Sequence, residues 1–320
     1  MRSYLLALFA VLIPALASAQ SYPTKPVKII VPAQPGGGLD LVGRTIALEL
    51  GKAFDQSVVV ENVSGAGGSL AAMNTARAAP DGYTLMVGYV GTHGTNPAVR
   101  KLNYDAVNDF TPIAMVGGTP NILVVTPNVP AKDLASFVEY AKKSPAKLNY
   151  GTGGIGLLNH LALEQFRAAA GIEQVTYGHY RGIGPAFQDM LGGQIQVLMP
   201  GLAAAMPHIK SGKVKPLAIT GLKRHPLAPD VPTFEELGYK GFDGVQWYGI
   251  VGPAKMPADV TRRLNAEINK AITSPALQQR LASEALNVMP MSPEQFGKYM
   301  QDEIAKYTAL AKARNIRLDD

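Results

Sequence analysis

Short apolar runs alternate with four-spaced apolar faces along most of the chain. Residues 27–31 form a β-branched run that breaks at Pro32, and from Asp40 onward Val42, Ile46, Leu50 and Phe54 recur every fourth position, predicting a strand and then a helix. A second strand is predicted at 58–60, an alanine-rich helix over 69–79, and a third strand at 84–87 after the Pro80-Asp81-Gly82 break. The second half repeats the pattern: a strand at 148–150, a helix over 159–170, a strand from 174 to 177, a helix over 185–191, and strands at 194–199 and 214–220. Residues 258–272 and 293–314 carry helical spacing. Such alternation predicts an α/β fold.

Between strand and helix the chain repeatedly places glycine: Gly36-Gly37-Gly38, Gly65-Ala66-Gly67-Gly68, and a run from Gly151 to Gly156. Glycine lets backbone N–H groups approach a ligand closely, and the helix that follows presents unpaired donors with a partial positive charge. A carboxylate suits such a corner without needing an arginine. Any one corner also serves as an ordinary turn, and Asp40 reads either as an N-cap acceptor or as a ligand contact.

The first residues change the picture of where this chemistry occurs. A basic start at Met1-Arg2, an apolar run over 4–17 and the small residues of Ala17-Ser18-Ala19 predict a secretory leader cleaved before Gln20. The apolar run is too short to span a membrane. The chain has no cysteine, so neither a disulfide nor a lipid anchor on a new N-terminal cysteine is available, and a large apolar core must supply stability. A soluble periplasmic protein is the expectation. Net charge is +6 over 320 residues, with Lys and Arg scattered, which suits long-range attraction of anions but makes no nucleic-acid patch.

Enzyme motifs fail at specific positions. Leu41 stands where a dinucleotide fingerprint beginning at Gly36 needs glycine, and Val214 stands where a phosphate loop ending Gly212-Lys213 needs Ser or Thr. Gly67-Gly68-Ser69-Leu70-Ala71 lacks the final glycine of a nucleophile elbow. The five histidines show no metal-ligand spacing. Binding without catalysis, cofactor or metal is the expectation, with a secreted enzyme acting on a carboxylate as its rival.

Taken in order, several segments resemble the extracytoplasmic solute-binding proteins of tripartite tricarboxylate transporters, the Bug family. They include the stretch 22–32, Pro35-Gly36-Gly37-Gly38 with Asp40 and Arg44, Pro80-Asp81-Gly82-Tyr83-Thr84, and Thr92-His93 with Asn96-Pro97. Gly153-Gly154-Ile155-Gly156 with His160, Tyr180-Arg181-Gly182, the stretch 229–233 and Trp247-Tyr248-Gly249 extend the likeness over essentially the whole mature chain. The resemblance implies a two-lobed periplasmic-binding fold of the Venus-flytrap, type II-like kind, with two interlobe crossings. Residues 20–120 and 250–320 would form one lobe and 121–249 the other, with extended segments at 111–126 and 244–252 passing between them. It implies ligand contacts at Gly36, Gly37, Gly38, Leu39, Asp40, Gly67, Gly68, Thr92, His93, Gly154, Ile155, Gly156 and Leu157, with His160 and Arg181 as further candidates. The implied partners are a small organic carboxylate and a membrane permease of one small and one large subunit. The carrier is expected to be a monomer that binds no nucleic acid. Docking of the closed form onto a sensory receptor is the alternative.

Leu39 and Leu157 depart from the hydroxyl or proline residues usual at those positions of the family pattern. Either the ligand has an apolar body, as an aromatic dicarboxylate such as terephthalate does, or each leucine turns into its own lobe and the ligand is an aliphatic di- or tricarboxylate. Trp247, the one tryptophan, is expected in the core of an interlobe strand. Arg181 has Asp189 as a possible surface partner.

Overall fold

The computed structural model describes residues 22–180 and 182–317. The predicted leader at 1–19 and Arg181 lie outside the described residues. In chain order the first elements are β1 (Val27–Val31), α1 (Gly38–Phe54), β2 (Val58–Asn62), α2 (Ser69–Ala76), β3 (Thr84–Tyr89), α3 (Asn96–Val99) and β4 (Phe110–Pro120). The chain then crosses to a second sheet with β5 (Ile122–Val125), α4 (Leu134–Lys143), β6 (Asn149–Thr152), α5 (Leu158–Ala170), β7 (Thr176–His179), α6 (Ile183–Leu191), β8 (Val197–Leu198), α7 (Leu202–Lys210) and β9 (Lys215–Ile219). It returns through β10 (Val245–Pro253), α8 (Ala258–Ile272), α9 (Pro275–Ser283), β11 (Asn287–Val288) and α10 (Pro293–Ala313).

The two sheets share a plan. In the first, ordered β11-β4-β10-β3-β1-β2, the strands β2, β1 and β3 are parallel and β10 runs antiparallel beside β3. In the second, ordered β7-β6-β8-β5-β9, the strands β7, β6 and β8 are parallel and β5 runs antiparallel beside β8. In each, the middle strand of the parallel trio ends in a glycine corner, β1 at Gly36–Gly38 and β6 at Gly153–Gly156. Corners at the carboxyl ends of parallel strands are where open α/β sheets take ligands. By the same correspondence the β3–α3 turn, which holds Thr92 and His93, matches the β8–α7 turn at Gly201.

The expected crossing at 244–252 requires correction. All of β10 pairs within the first sheet, from Val245 opposite Pro120 to Pro253 opposite Phe110, so residues 245–249 belong with the first lobe and the return crossing lies before Val245. Trp247 and Tyr248 are buried from opposite faces of this strand, and that burial favours pairing in a central position over exposure between lobes. The expected 111–126 segment divides at Asn121. Its side-chain amide donates to the Met199 carbonyl, and its backbone N–H donates to the Thr220 hydroxyl oxygen.

Beyond the strands, further contacts join the lobes. Leu158 and Leu161 of α5 are buried together with Trp247, Tyr307, Ala311 and Ile316 of the first lobe. Glu164, one turn further along α5, receives hydrogen bonds from Arg167 and, across the lobes, from Arg314 at 2.9 Å. Near the crossing strands, Ala285 is buried among Ile122, Ile219, Ala228 and Val231 of the second lobe. No helix among the described residues is long and apolar enough to cross a membrane.

Candidate functional site

The first corner is built by its own side chain. Gly37 occupies the N-cap of α1, and Asp40 sits at the third helical position, correcting the N-cap reading of Asp40. Its carboxylate accepts from the Gly36 N–H at 2.9 Å, from Arg44 Nε at 2.9 Å and from Asn62 Nδ2 at 2.9 Å. The Arg44 hydrogen bond, outweighing the effect of burial, lowers the Asp40 pKa to about 2. Asp40 is therefore spent on shaping the loop. Asp40→Ala should lower unfolding free energy by about 2 kcal/mol, because three donors lose a charged acceptor. Urea denaturation of the variant, with Asp40→Asn alongside, measures that loss.

The other first-lobe residues lie behind this corner. Gly68 has φ +87°, and a Cβ there would come within 2.8 Å of Thr92 Cγ2 and 3.1 Å of Pro32 Cβ, so the backbone packs where a side chain would collide. The Gly67 carbonyl accepts from Asn96 Nδ2 and from the Tyr89 hydroxyl. Thr92 and His93 are 0% exposed. The Thr92 hydroxyl lies 2.8 Å from His93 Nδ1, its carbonyl accepts from Tyr104, and the imidazole stands edge-on to Phe110. Burial pushes the His93 pKa down to about 3. In this conformation the Thr92 and His93 side chains are buried and brace the corner.

In the second lobe, the Gly156 N–H donates to His160 Nδ1 at 3.1 Å. A backbone N–H can only donate, so the neutral ring carries its proton on Nε2. Burial first, and then the neighbouring His179, pulls the His160 pKa down to about 4. His160 stands edge-on to both Tyr177 and His179, and it too acts as a brace. Asn159 Oδ1 accepts from the Gly153 N–H, while Ile155 stays exposed. The Leu157 side chain folds toward its own loop, with Cδ1 3.3 Å from where a Gly154 Cβ would stand, and Leu39 packs against the first-lobe core. Tyr180 holds Asp189 through its hydroxyl at 2.6 Å.

A cavity of about 300 Å³ opens beside the first corner. Gly36, Gly37 and Gly38 line it together with Leu41, Thr119, Ala203, Tyr248, Glu284 and Leu286. Ala203 belongs to the second lobe, so the cavity lies between the lobes. Glu284, exposed at its rim, is the sole ionisable carboxylate among these lining residues, and no lysine or arginine stands among them. An anion entering would therefore be met by backbone N–H groups of the α1 N-terminus and by neutral hydroxyls. Of the residues expected to bind, this cavity gathers only the first three glycines. Thr119 and Ala203 went unnoticed in the sequence, and Tyr248 was noted only within Trp247-Tyr248-Gly249; the Pro200-Gly201 turn before an alanine-rich helix was the available signal for Ala203.

Comparison with known proteins agrees with this architecture. The family model described as "Tripartite tricarboxylate transporter family receptor" matches residues 42–316. Protein BugT of Bordetella pertussis is 32% identical over 314 residues, covering 96% of this chain and 94% of BugT. The solved structure of Rpa4515 from R. palustris with adipate has a TM-score of 0.82 at 32% identity, covering 92% of this chain and 99% of that one. MatC from Rhodopseudomonas palustris with bound malate gives a TM-score of 0.77 at 33% identity, over 90% and 99% of the two chains. These neighbours are binding proteins rather than enzymes, and the chain belongs to the tripartite tricarboxylate transporter receptor family, the extracytoplasmic solute-binding proteins of the Bug type.

Proposed function

We propose that this protein captures a small organic carboxylate between its lobes in the periplasm and presents it to a two-subunit membrane permease. One observation carries the reading: a cavity between the lobes, edged by the Gly36–Gly38 corner, where α1 begins with its donors unengaged. The adipate and malate held by its relatives support the same class of ligand. A helix N-terminus alone contributes about 0.3–1 kcal/mol to anion binding, so several hydrogen bonds must act together.

For the body of the ligand, the cavity wall offers Leu41, Ala203 and Leu286. Leu39 and Leu157 turn toward their own lobes, so apolar contact would come from these three residues instead. We infer a carboxylate whose polar ends are joined by a hydrocarbon segment, adipate and terephthalate being two examples. Lobe closure around it would complete the contacts, and a ligand shifts that equilibrium only through its greater affinity for the closed state.

Calorimetry with adipate, malate, citrate, benzoate and terephthalate tests the proposal. Adipate or terephthalate should bind more tightly than citrate, and the bound solute should be recovered chemically unchanged. At a hundredfold excess over its dissociation constant the ligand should add about 2.7 kcal/mol of stability and reduce the radius of gyration in X-ray scattering. If none of the five binds, this carboxylate reading is wrong. Tight citrate binding with no affinity for adipate or terephthalate would remove the hydrocarbon-body inference alone.

A further inference from the structure

Thr119, Gln246 and Tyr248 lie on one face of the first sheet. Gln246 stands opposite Thr119 in the β4–β10 pairing, and Gln246 and Tyr248 are two positions apart on one strand. Tyr248 is 4% exposed and Thr119 is 6% exposed, yet both line the cavity. The Tyr248 hydroxyl oxygen accepts a hydrogen bond from Gln246 Nε2 at 2.9 Å, while its own proton reaches no acceptor among the described residues. The buried Thr119 hydroxyl has no partner among the described residues. A phenol oxygen also sits hard against the start of α1, since a Cβ added at Gly38 would be 3.1 Å from it.

A buried hydroxyl without a partner is costly, and most are satisfied. Here one such group, the Thr119 hydroxyl, and a phenol whose proton has no acceptor among the described residues converge on the space that the first turn of α1 also faces. From this geometry we infer that Tyr248 and Thr119 are ligand-binding residues, hydroxyl donors that join the α1 N–H groups in holding one carboxylate end of the solute. The inference rests on the carboxylate reading given above and extends it, since neither residue belongs to a glycine corner. All donors in this set are neutral. Recognition would therefore depend on the number and direction of hydrogen bonds, with no basic side chain to attract an anion whatever its shape. Burial raises the Tyr248 pKa to about 12, which keeps the phenol protonated and able to donate.

The set also has a position in the fold that the corners lack. Thr119 stands two residues before Asn121, where the chain crosses to the second lobe, and Gly201 of that lobe lies close to both Thr119 and Gln246. A carboxylate held there would be seated on the strands next to the crossing, with the second-lobe turn immediately beyond it.

The test measures the affinity of Tyr248→Phe and Thr119→Val for adipate, malate and terephthalate by calorimetry, with ligand-free melting temperatures recorded in parallel. Loss of a hydrogen bond to a charged group predicts weakening by about 10- to 100-fold in Tyr248→Phe and about tenfold in Thr119→Val. The ligand-free melting temperature of Thr119→Val should stay at the wild-type value. Wild-type affinity in both variants would overturn the inference. Lowered melting temperature with unchanged affinity in Tyr248→Phe would assign the phenol to support of Gln246 alone, and that also overturns it. Should Tyr248→Phe fail to fold, Thr119→Val decides by itself. If the wild-type protein binds none of the three solutes, the carboxylate reading fails first and is recognised as the failure, because no variant is needed to see it.

Discussion

Lowering the pH from 7.5 to 5 should destabilise the ligand-free protein by several kcal/mol, before most of its carboxylates titrate. The cause is burial of neutral imidazole. His93 and His160 have pKa values pushed down to about 3 and about 4, mainly by loss of solvent. An unfolded chain takes up a proton at each near pH 6.5, whereas the folded protein does not. Stability is therefore complete above pH 6.5 and falls as the pH drops from there toward about 4, by about 2 kcal/mol for each of the two at pH 5. His179 and His225 shift in the same direction and add to the slope. Glu303 works against it, since burial raises its carboxyl and lets the folded state bind a proton early. Denaturant unfolding at half-unit pH steps would measure the slope. A flat profile from pH 7.5 to 5 would show that these rings are not held neutral, and His93→Phe should flatten the slope in part if it still folds.

Glu164→Ala should cost about 3 kcal/mol and loosen the two lobes from one another. The carboxylate is buried, receives two hydrogen bonds from Arg167 Nη1 and a third from Arg314 Nε, and so ties α5 to α10. Burial alone would raise its pKa, but the two guanidinium groups outweigh that and leave it lowered. Removing one member of such a set strands the others, a change that costs about 3–5 kcal/mol when all are deeply buried. Arg167 and Arg314 retain some exposure, which places the expected loss at the lower end. Arg314→Ala should cost less, because Glu164 keeps Arg167. X-ray scattering on ligand-free Glu164→Ala should give a larger radius of gyration than wild type; the same radius would mean that apolar packing at Leu158 and Leu161 alone holds the lobes together.

Helix α8 was legible from spacing because one face is apolar and the other charged: Val260, Leu264, Ile268 and Ile272 are buried. Strand β10 was legible as a strand and misassigned to a place between lobes. A segment buried on both sides reads alike wherever it pairs, and its partners lie more than a hundred residues away in sequence. β8 covers two residues instead of the expected 194–199, although the Gln196 backbone still donates to Asn149 and accepts from Thr126 just before it.

The candidate site divides in the same way. Glycine corners announce themselves locally, so Gly36–Gly38 and Gly153–Gly156 were found. Thr92, His93 and His160 resemble ligand contacts in sequence because polar residues stand beside glycine, yet the Thr92 hydroxyl and His93 Nδ1 bond each other and His160 Nδ1 accepts from Gly156 within its own lobe. Thr119 gave no local sign and Tyr248 showed only as part of Trp247-Tyr248-Gly249, since their meeting depends on the register of β4 against β10.

Adjacency of Trp247 and Tyr248 has an optical consequence. The phenol faces the cavity, whereas the indole points away, 0% exposed, with Nε1 donating to Glu303 at 3.2 Å. Glu303 contacts Lys306, which also reaches Asp243 just ahead of β10. With a single tryptophan in the chain, ultraviolet emission should come from one known place, and any solute that pulls on Tyr248 should shift its intensity or wavelength without a dye or a label.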